Sequence, residues 1–427
     1  MKIINQTGRE SVLDTTPYIE SCIDNLAEIT DKHKPYTRLV FSEEYKAARK
    51  WLSAEFERLG CKVFRDHAGN LKGVLASESK FAKRVIIGSH LDTVFCGGRF
   101  DGIAGVVAGL AVLKSLNDNQ VKLPFHLEIY DFLGEELNEW NTSCIGTRGL
   151  TGKLNSDVLH RKNTKGELLI DKISDEGGNP DLLLRNETDT ENVVASFELH
   201  IEQGSQLQNT KTHLGIVNSI PSISRHMISI DGEAGHSGTV QMKDRRDALV
   251  AAAELIVVVN NKAKSIAGHD KKHFVATIGH LKLQPNAATI IPSQVNMLMD
   301  LRAEDSDKRD QFLNFVKLKS SEIQDKVQVS ISIEEKAFTS GVLMDSNLNQ
   351  LLKEVISSLG FSSTDMVSGA GHDAGHIARV APACLIFVPC LDGRSHCPEE
   401  FARAEDISRG AVAIEKAVTR LARLNTV

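Results

Sequence analysis

Residues 85–116 read VIIGSHLDTVFCGGRFDGIAGVVAGLAVLKSL, and their pattern decides the fold class. Val85-Ile86-Ile87-Gly88 is a short apolar run of the kind that forms a buried strand. Gly97, Gly98 and Gly102 mark a tight turn. From Gly102 to Leu116, the side chains of Ile103, Val106, Val107, Leu110 and Leu113 share one face, with small residues elsewhere. That spacing predicts a helix packed in the core. A buried strand feeding such a helix through a glycine-rich turn is the unit of an α/β fold. The alternation continues outward. Tyr45, Ala48, Leu52, Phe56 and Leu59 recur at helical spacing, Leu127–Leu133 and Cys384–Val388 read as strands, and a closing helix runs near Asp406 to Leu424. The expectation is an α/β domain with a central mixed sheet flanked by helices.

The middle of the chain reads differently. His226–Ile230, His273–Leu283, Val295–Leu301 and the alternating Val327, Val329, Ile331 and Ile333 are strand-like. Asp244–Ile266 and Ser306–Lys326 are helix-like. The order β-α-β-β-α-β is that of a self-contained, ferredoxin-like two-layer unit. It is expected as an insertion over residues 222–336, within a larger discontinuous domain of residues 1–221 and 337–427.

Bulk properties narrow the function. The chain has 427 residues, 41% of them hydrophobic and 25% charged, as in an ordinary soluble protein. No apolar stretch approaches the ~18 residues of a membrane helix. The opening residues lack the apolar core of a secretory signal. A net charge of −6 argues against nucleic acid as partner. Seven cysteines, an odd number at wide spacing without a CxxC pair, read as free thiols in a reducing, cytoplasmic setting.

Chemistry-bearing residues gather at predicted strand ends. His90 and Asp92 lie at i and i+2 after the Val85 run, so in extended chain they share a face. They suit a metal ligand and the carboxylate that orients it. Asp101 precedes the helix, where it could equally be an N-cap. Glu135 and Glu136 follow the Leu127 strand, and two carboxylates there can divide the work of ligand and general base. His200 lies in Glu198-Leu199-His200-Ile201-Glu202-Gln203-Gly204, and His396 in a loop just past the Cys384 strand. Together, nitrogen and oxygen donors without thiolate suit one or two cations such as zinc or manganese. His372 and Asp373, in the glycine-rich Ser368–His376 stretch, read as scaffolding.

With these residues in view, the sequence resembles the amidase, hydantoinase/carbamoylase family of metal-dependent amidohydrolases, within the M20 peptidase group. The matching stretches are GSHLDTVFCGGRFDGIAGVVAGL from Gly88, ELHIEQG from Glu198, GEAGHSG from Gly232, SGAGHDA from Ser368 and FVPCLDGRSHCPEE from Phe387. The resemblance implies a site for two divalent ions, zinc or manganese, with cobalt or nickel also compatible. His90 and His200 would hold one ion, Glu136 and His396 the other, and Asp101 would bridge them. Glu135 would be the general base and Asp92 would orient His90. The inserted unit would be a lid that also forms a homodimer. Its His236 would polarise the substrate carbonyl. Gln203, Arg302, Thr289 and the Gly369-Ala370-Gly371 backbone would bind a small substrate bearing a carboxylate.

Two departures bear on specificity. The family usually carries asparagine where this chain has Thr289, and threonine lacks the two-headed amide that helps an arginine hold a carboxylate. The family commonly reads Asp-Glu-Glu-Gly-x-Arg-Phe where this chain reads Gly134-Glu135-Glu136-Leu137-Asn138-Glu139-Trp140. The expected reaction is hydrolysis of a linear C–N bond in an N-carbamoyl amino acid or an allantoate-like ureido acid. Alternatives are an N-acyl amino acid hydrolase or dipeptidase of the same group, and a non-catalytic ligand-binding homologue.

Overall fold

The computed structural model describes residues 14–79, 82–269 and 272–424. Its strands are β1 Lys62–Arg65, β2 Leu71–Leu75, β3 Arg84–Ser89, β4 His126–Asp131, β5 Val193–Ile201, β6 Leu214–Ile220, β7 Ser222–Asp231, β8 Gly235–His236, β9 Phe274–Gln284, β10 Ile290–Ile291, β11 Gln294–Ala303, β12 Ser330–Thr339, β13 Val342–Leu343, β14 Ser363–Val367 and β15 Ala383–Val388. The chain forms two compact units. The first runs to Asn218 and resumes over Leu343–Met366 and from Gly371, while the second comprises Ser219–Val342 and Val367–Ala370.

The first unit is built on a mixed sheet in the order β1-β2-β4-β3-β5-β15-β6-β13, with β14 paired to β6. Its centre, β4-β3-β5-β15, is parallel, and the pairs β1/β2, β2/β4 and β15/β6 are antiparallel. The parallel strands are covered on both faces, so β3 and β15 are almost wholly buried, which explains why they read as unbroken apolar runs. The helix Ile103–Asp118 packs on β3, β4 and β5 and against helices Thr16–Glu28 and Ala404–Leu424. Gly109 permits that closeness, because a Cβ there would lie 2.7 Å from the Ile129 side chain.

The second unit is an antiparallel sheet in the order β12-β7-β11-β9, with helices Ala248–His269 and Ser306–Val327 and its own core. Along β11, Val295, Met297, Met299, Leu301 and Ala303 are buried in strict alternation. The last strand begins later than its alternation suggests. The preceding helix includes Val327, which packs on the core, and Gln328 at φ +57° ends it. The first helix likewise starts at Ala248 and not Asp244. Arg245 is extended there, its guanidinium donating to the carbonyls of Ser237 and Val240. Val367–Ala370 joins this unit through backbone bonds such as Ser368 N–H to Ser219 O, 3.0 Å, a pairing local sequence does not announce.

All seven cysteines are free. Among the described residues no helix is long and apolar enough to cross a membrane.

Candidate metal centre

The carboxyl ends of the four parallel strands converge, the usual place for a site in an open α/β sheet. His90 follows β3, Glu135 and Glu136 follow β4, His200 lies in β5, and His396 comes after β15. Asp101 immediately precedes Gly102 and the Ile103–Asp118 helix.

Two trios of donors result: His90, Asp101 and His200, then Asp101, Glu136 and His396, each with its ligand-type atoms within 4.8 Å of one another. Asp101 belongs to both. Its Oδ1 lies 3.1 Å from His200 Nε2 and 3.6 Å from His90 Nε2. Its Oδ2 lies 3.2 Å from His396 Nε2, which is 3.3 Å from Glu136 Oε1. Backbone carbonyls set the tautomers. His90 Nδ1 donates to Asp92 O and His200 Nδ1 to Ile201 O, both at 2.9 Å, so each Nε2 faces Asp101, and His200 Nε2 also accepts from Gly102 N–H at 3.2 Å.

The donors fit a cation. His90 Nε2 is buried with no hydrogen-bond partner among the described residues. A buried imidazole nitrogen without a hydrogen-bond partner, beside buried carboxylates, is a costly arrangement that a bound cation would relieve.

The imidazoles and carboxylates of the two trios stabilise each other's charge. Burial opposes ionisation of Asp101, yet the His200, His396 and His90 imidazoles hold its carboxyl well below the ordinary range. The Asp101 and Glu136 carboxylates push His396 up to about 11. Burial raises Glu135 well above the usual carboxylate range; His90 opposes this, while Glu136, Asp373 and Asp92 add to it. Glu135 Oε2 stands 3.8 Å from His90 Nε2, beside both trios and in neither.

The chain fixes these groups from behind. Asp92 touches His90 chiefly through its backbone carbonyl; its carboxylate accepts from Glu135 N–H at 3.2 Å and Glu136 N–H at 3.1 Å. Gly102 sits at φ +70°, and a Cβ there would collide with the His90 ring, so only glycine lets Asp101 and His90 come together.

Several supporting residues carry no sequence signal of their own. Glu400 Oε1 accepts from the backbone N–H of Phe100 and Asp101, at 2.8 and 3.0 Å, fixing the turn that presents Asp101. Cys144 donates its thiol to Glu135 Oε1 at 3.4 Å and its backbone N–H to Glu135 O at 2.9 Å. Buried Arg38 donates to Leu91 O at 2.7 Å, and buried Asp131 accepts from Leu91 N–H at 2.8 Å. Buried Arg49 in turn holds Asp131, at 2.6 Å, and Glu176, at 2.9 Å. Arg49 falls on the apolar face of its helix, four residues after Tyr45 and three before Leu52, and that interruption is its one trace in the sequence.

The remaining candidates are placed as follows. Gln203 Nε2 donates to Asp101 Oδ2 at 2.7 Å. His372 stacks edge-on to His200, ring centres 4.5 Å apart. Burial, reinforced by His200, keeps it well below the normal histidine pKa and therefore neutral. Asp373 accepts from Thr147 Oγ1 at 2.7 Å. In the second unit, His236 is exposed on the β8/β10 ribbon, and Thr289 O accepts from the adjacent Ser237 N–H at 3.0 Å. Arg302 donates to Asp300 Oδ1 at 2.8 Å and to Gly369 O at 2.6 Å. Gly369 and Ala370 belong to that unit and Gly371 to the first.

Known proteins share this arrangement of chain. The family model described as peptidase family M20/M25/M40 matches residues 86–420. An N-carbamoyl-L-amino-acid amidohydrolase of Pseudomonas sp. is 32% identical over 93% of this chain and 96% of its own. The allantoate amidohydrolase of Bacillus subtilis is 30% identical over 90% and 92%. A solved structure of an amidase of the hydantoinase/carbamoylase family from Burkholderia multivorans superposes with a TM-score of 0.85 at 29% identity, covering 94% of this chain and 97% of that one.

Proposed function

The chain belongs to peptidase family M20/M25/M40, and from that premise we propose that it is a dinuclear metal-dependent amidohydrolase. Its substrate is a small N-carbamoyl or ureido acid, cleaved at a linear C–N bond. The observation that carries the reading is Asp101, one carboxylate oxygen in each of two donor trios. His90 and His200 would hold one divalent ion, Glu136 and His396 the other, and Asp101 both. Divalent ions held there would supply Lewis-acid polarisation and acidify water at the site.

This chain's own residues do the rest. Glu135 takes the proton from the attacking water and delivers it to the leaving nitrogen as the C–N bond breaks. Its carboxylate stands 3.8 Å from His90 Nε2, beside both trios and in neither, which leaves it free for that proton. Cys144 and the Asp92–Glu135 backbone bond aim it. Cleavage of an N-carbamoyl amino acid then yields the amino acid and carbamic acid, which loses carbon dioxide to leave ammonia.

His236, Thr289, Arg302 and the Gly369–Gly371 backbone are assigned to the substrate, with Gln203 acting through Asp101. The second unit is proposed as a lid that also joins two copies. Its sheet has edges at β12 and β9, and an unpaired edge such as β9, which bears the exposed Leu281, is suited to pairing with a second chain.

The test is metal analysis with ammonia and amino acid release, using zinc, manganese, cobalt and nickel across N-carbamoyl amino acids and allantoate. Two divalent ions per chain and metal-dependent ammonia release are expected. A protein that binds no divalent ion and releases no ammonia with any of them is not this enzyme.

A further inference from the structure

Beside the candidate centre, wholly within the first unit, lies a pocket of about 430 Å³. Asp92 and Glu136 line it, so it opens next to the proposed ion-binding carboxylate. Half of its other lining is apolar, with Phe41, Val94, Phe95, Leu137 and Trp140 the largest groups, and half is polar, including Glu139, Lys165, Glu167 and Lys172. Phe41 and Trp140 meet edge to face at 5.4 Å and make a rigid aromatic wall. The one polar atom of Trp140, Nε1, is already spent on Glu167 O at 2.8 Å. Leu137 and Phe95 are more than half exposed, at 56% and 57%. At the rim, Lys172 and Glu167 pair at 2.8 Å and offset each other's charge. The volume falls within the roughly 300–1,000 Å³ of small-molecule sites.

We propose that this pocket is the subsite for an apolar side chain of the substrate, a reading that rests on the proposed ureido hydrolysis. The carbamoyl end of such a substrate is a single small amide and cannot fill the space. The part left to occupy it is the substituent on the α-carbon, and walls of Phe41, Val94, Leu137 and Trp140 select one that is branched or aromatic. Allantoate, polar throughout, has no apolar group to bury against Phe41, Leu137 and Trp140. The chain is thereby a hydrolase of N-carbamoyl amino acids with large apolar side chains. Leu137 and Trp140 fall in the stretch where the sequence leaves the Gly-x-Arg-Phe pattern, so the departure creates part of the wall.

The experiment uses the metal-loaded full chain with N-carbamoyl glycine, leucine and phenylalanine and with allantoate. It reads kcat/KM by amino acid or ammonia release, and binding by tryptophan fluorescence. Each methylene buried is worth about a four-fold gain. We expect kcat/KM to rise at least ten-fold from the glycine to the phenylalanine derivative, with fluorescence responding most to the latter. Leu137→Asp, at an exposed position, is expected to lower kcat/KM for the phenylalanine derivative at least ten-fold more than for the glycine derivative. A flat series, a preference for allantoate, or a Leu137→Asp effect equal across substrates overturns the subsite. If nothing is turned over, the proposed reaction fails and fluorescence decides the pocket. Preferential binding of the phenylalanine derivative, lost in Leu137→Asp, sustains it; equal or absent binding ends it.

Discussion

At the scale of single residues, the site separates atoms that touch a cation from the one that stays free to move a proton. Glu135 and Glu136 are neighbours in sequence, yet only Glu136 reaches His396 and Asp101. Glu135→Gln keeps size and hydrogen bonding but cannot accept a proton. Its kcat is expected to fall by about 10²–10⁴ while bound metal stays at the wild-type amount, measured by ammonia release and elemental analysis. Loss of metal with the activity would instead make Glu135 a ligand. Cys144 acts one step back, through its 3.4 Å contact with Glu135 Oε1. Removing that donor in Cys144→Ala should lower kcat by about three- to ten-fold with KM little changed, the size of one hydrogen bond, and Cys144→Ser should recover most of it. Equal rates in all three proteins would reduce the thiol to packing. His90, His200, Glu136 and His396 were legible because histidines and carboxylates at strand ends are conspicuous. Glu400 and Cys144 were not, since their partners are backbone or a neighbour known only after folding.

At the scale of elements, the parallel strands announce themselves as apolar runs, whereas what joins them does not. Helix Glu43–Arg58 is amphipathic by its sequence, but its Arg49 turns inward and ties Asp131 at the end of β4 to Glu176. Asp131 then holds Leu91, between His90 and Asp92. All the side chains in this relay are buried, so breaking it leaves an uncompensated charge. Arg49→Met is expected to destabilise the first unit by about 3–5 kcal/mol in urea denaturation; a change below 1 kcal/mol would show the relay to be dispensable. In the second unit, β9 is an edge strand on which Leu281 is exposed. A Leu281→Lys chain should shift from dimer to monomer in sedimentation, because charge on an edge opposes strand pairing. A wild-type chain that sediments as a monomer at all concentrations removes the dimer.

At the scale of the whole molecule, the proposed ions couple distant parts of the chain. Residues from 90 to 396 meet at one place, so ions bound there stabilise the folded state and have no equivalent site in the unfolded one. Saturation at a thousand times Kd adds about 4 kcal/mol. Chelation should therefore lower the Tm, and restored manganese or zinc should raise it again; an unmoved Tm would speak against ion binding in the folded chain. By itself, the sequence determined the α/β class, the strand–turn–helix around His90 and Asp101, and the types of side chain available for chemistry. Those properties follow from local periodicity and from the intrinsic donors of each residue. Tertiary structure alone decided that Asp101 faces two trios, that Asp92 secures the Glu135–Glu136 backbone, and that Val367–Ala370 belongs with the second unit. Each depends on contacts between residues far apart in the chain, and local pattern holds no record of which distant partner a side chain will meet.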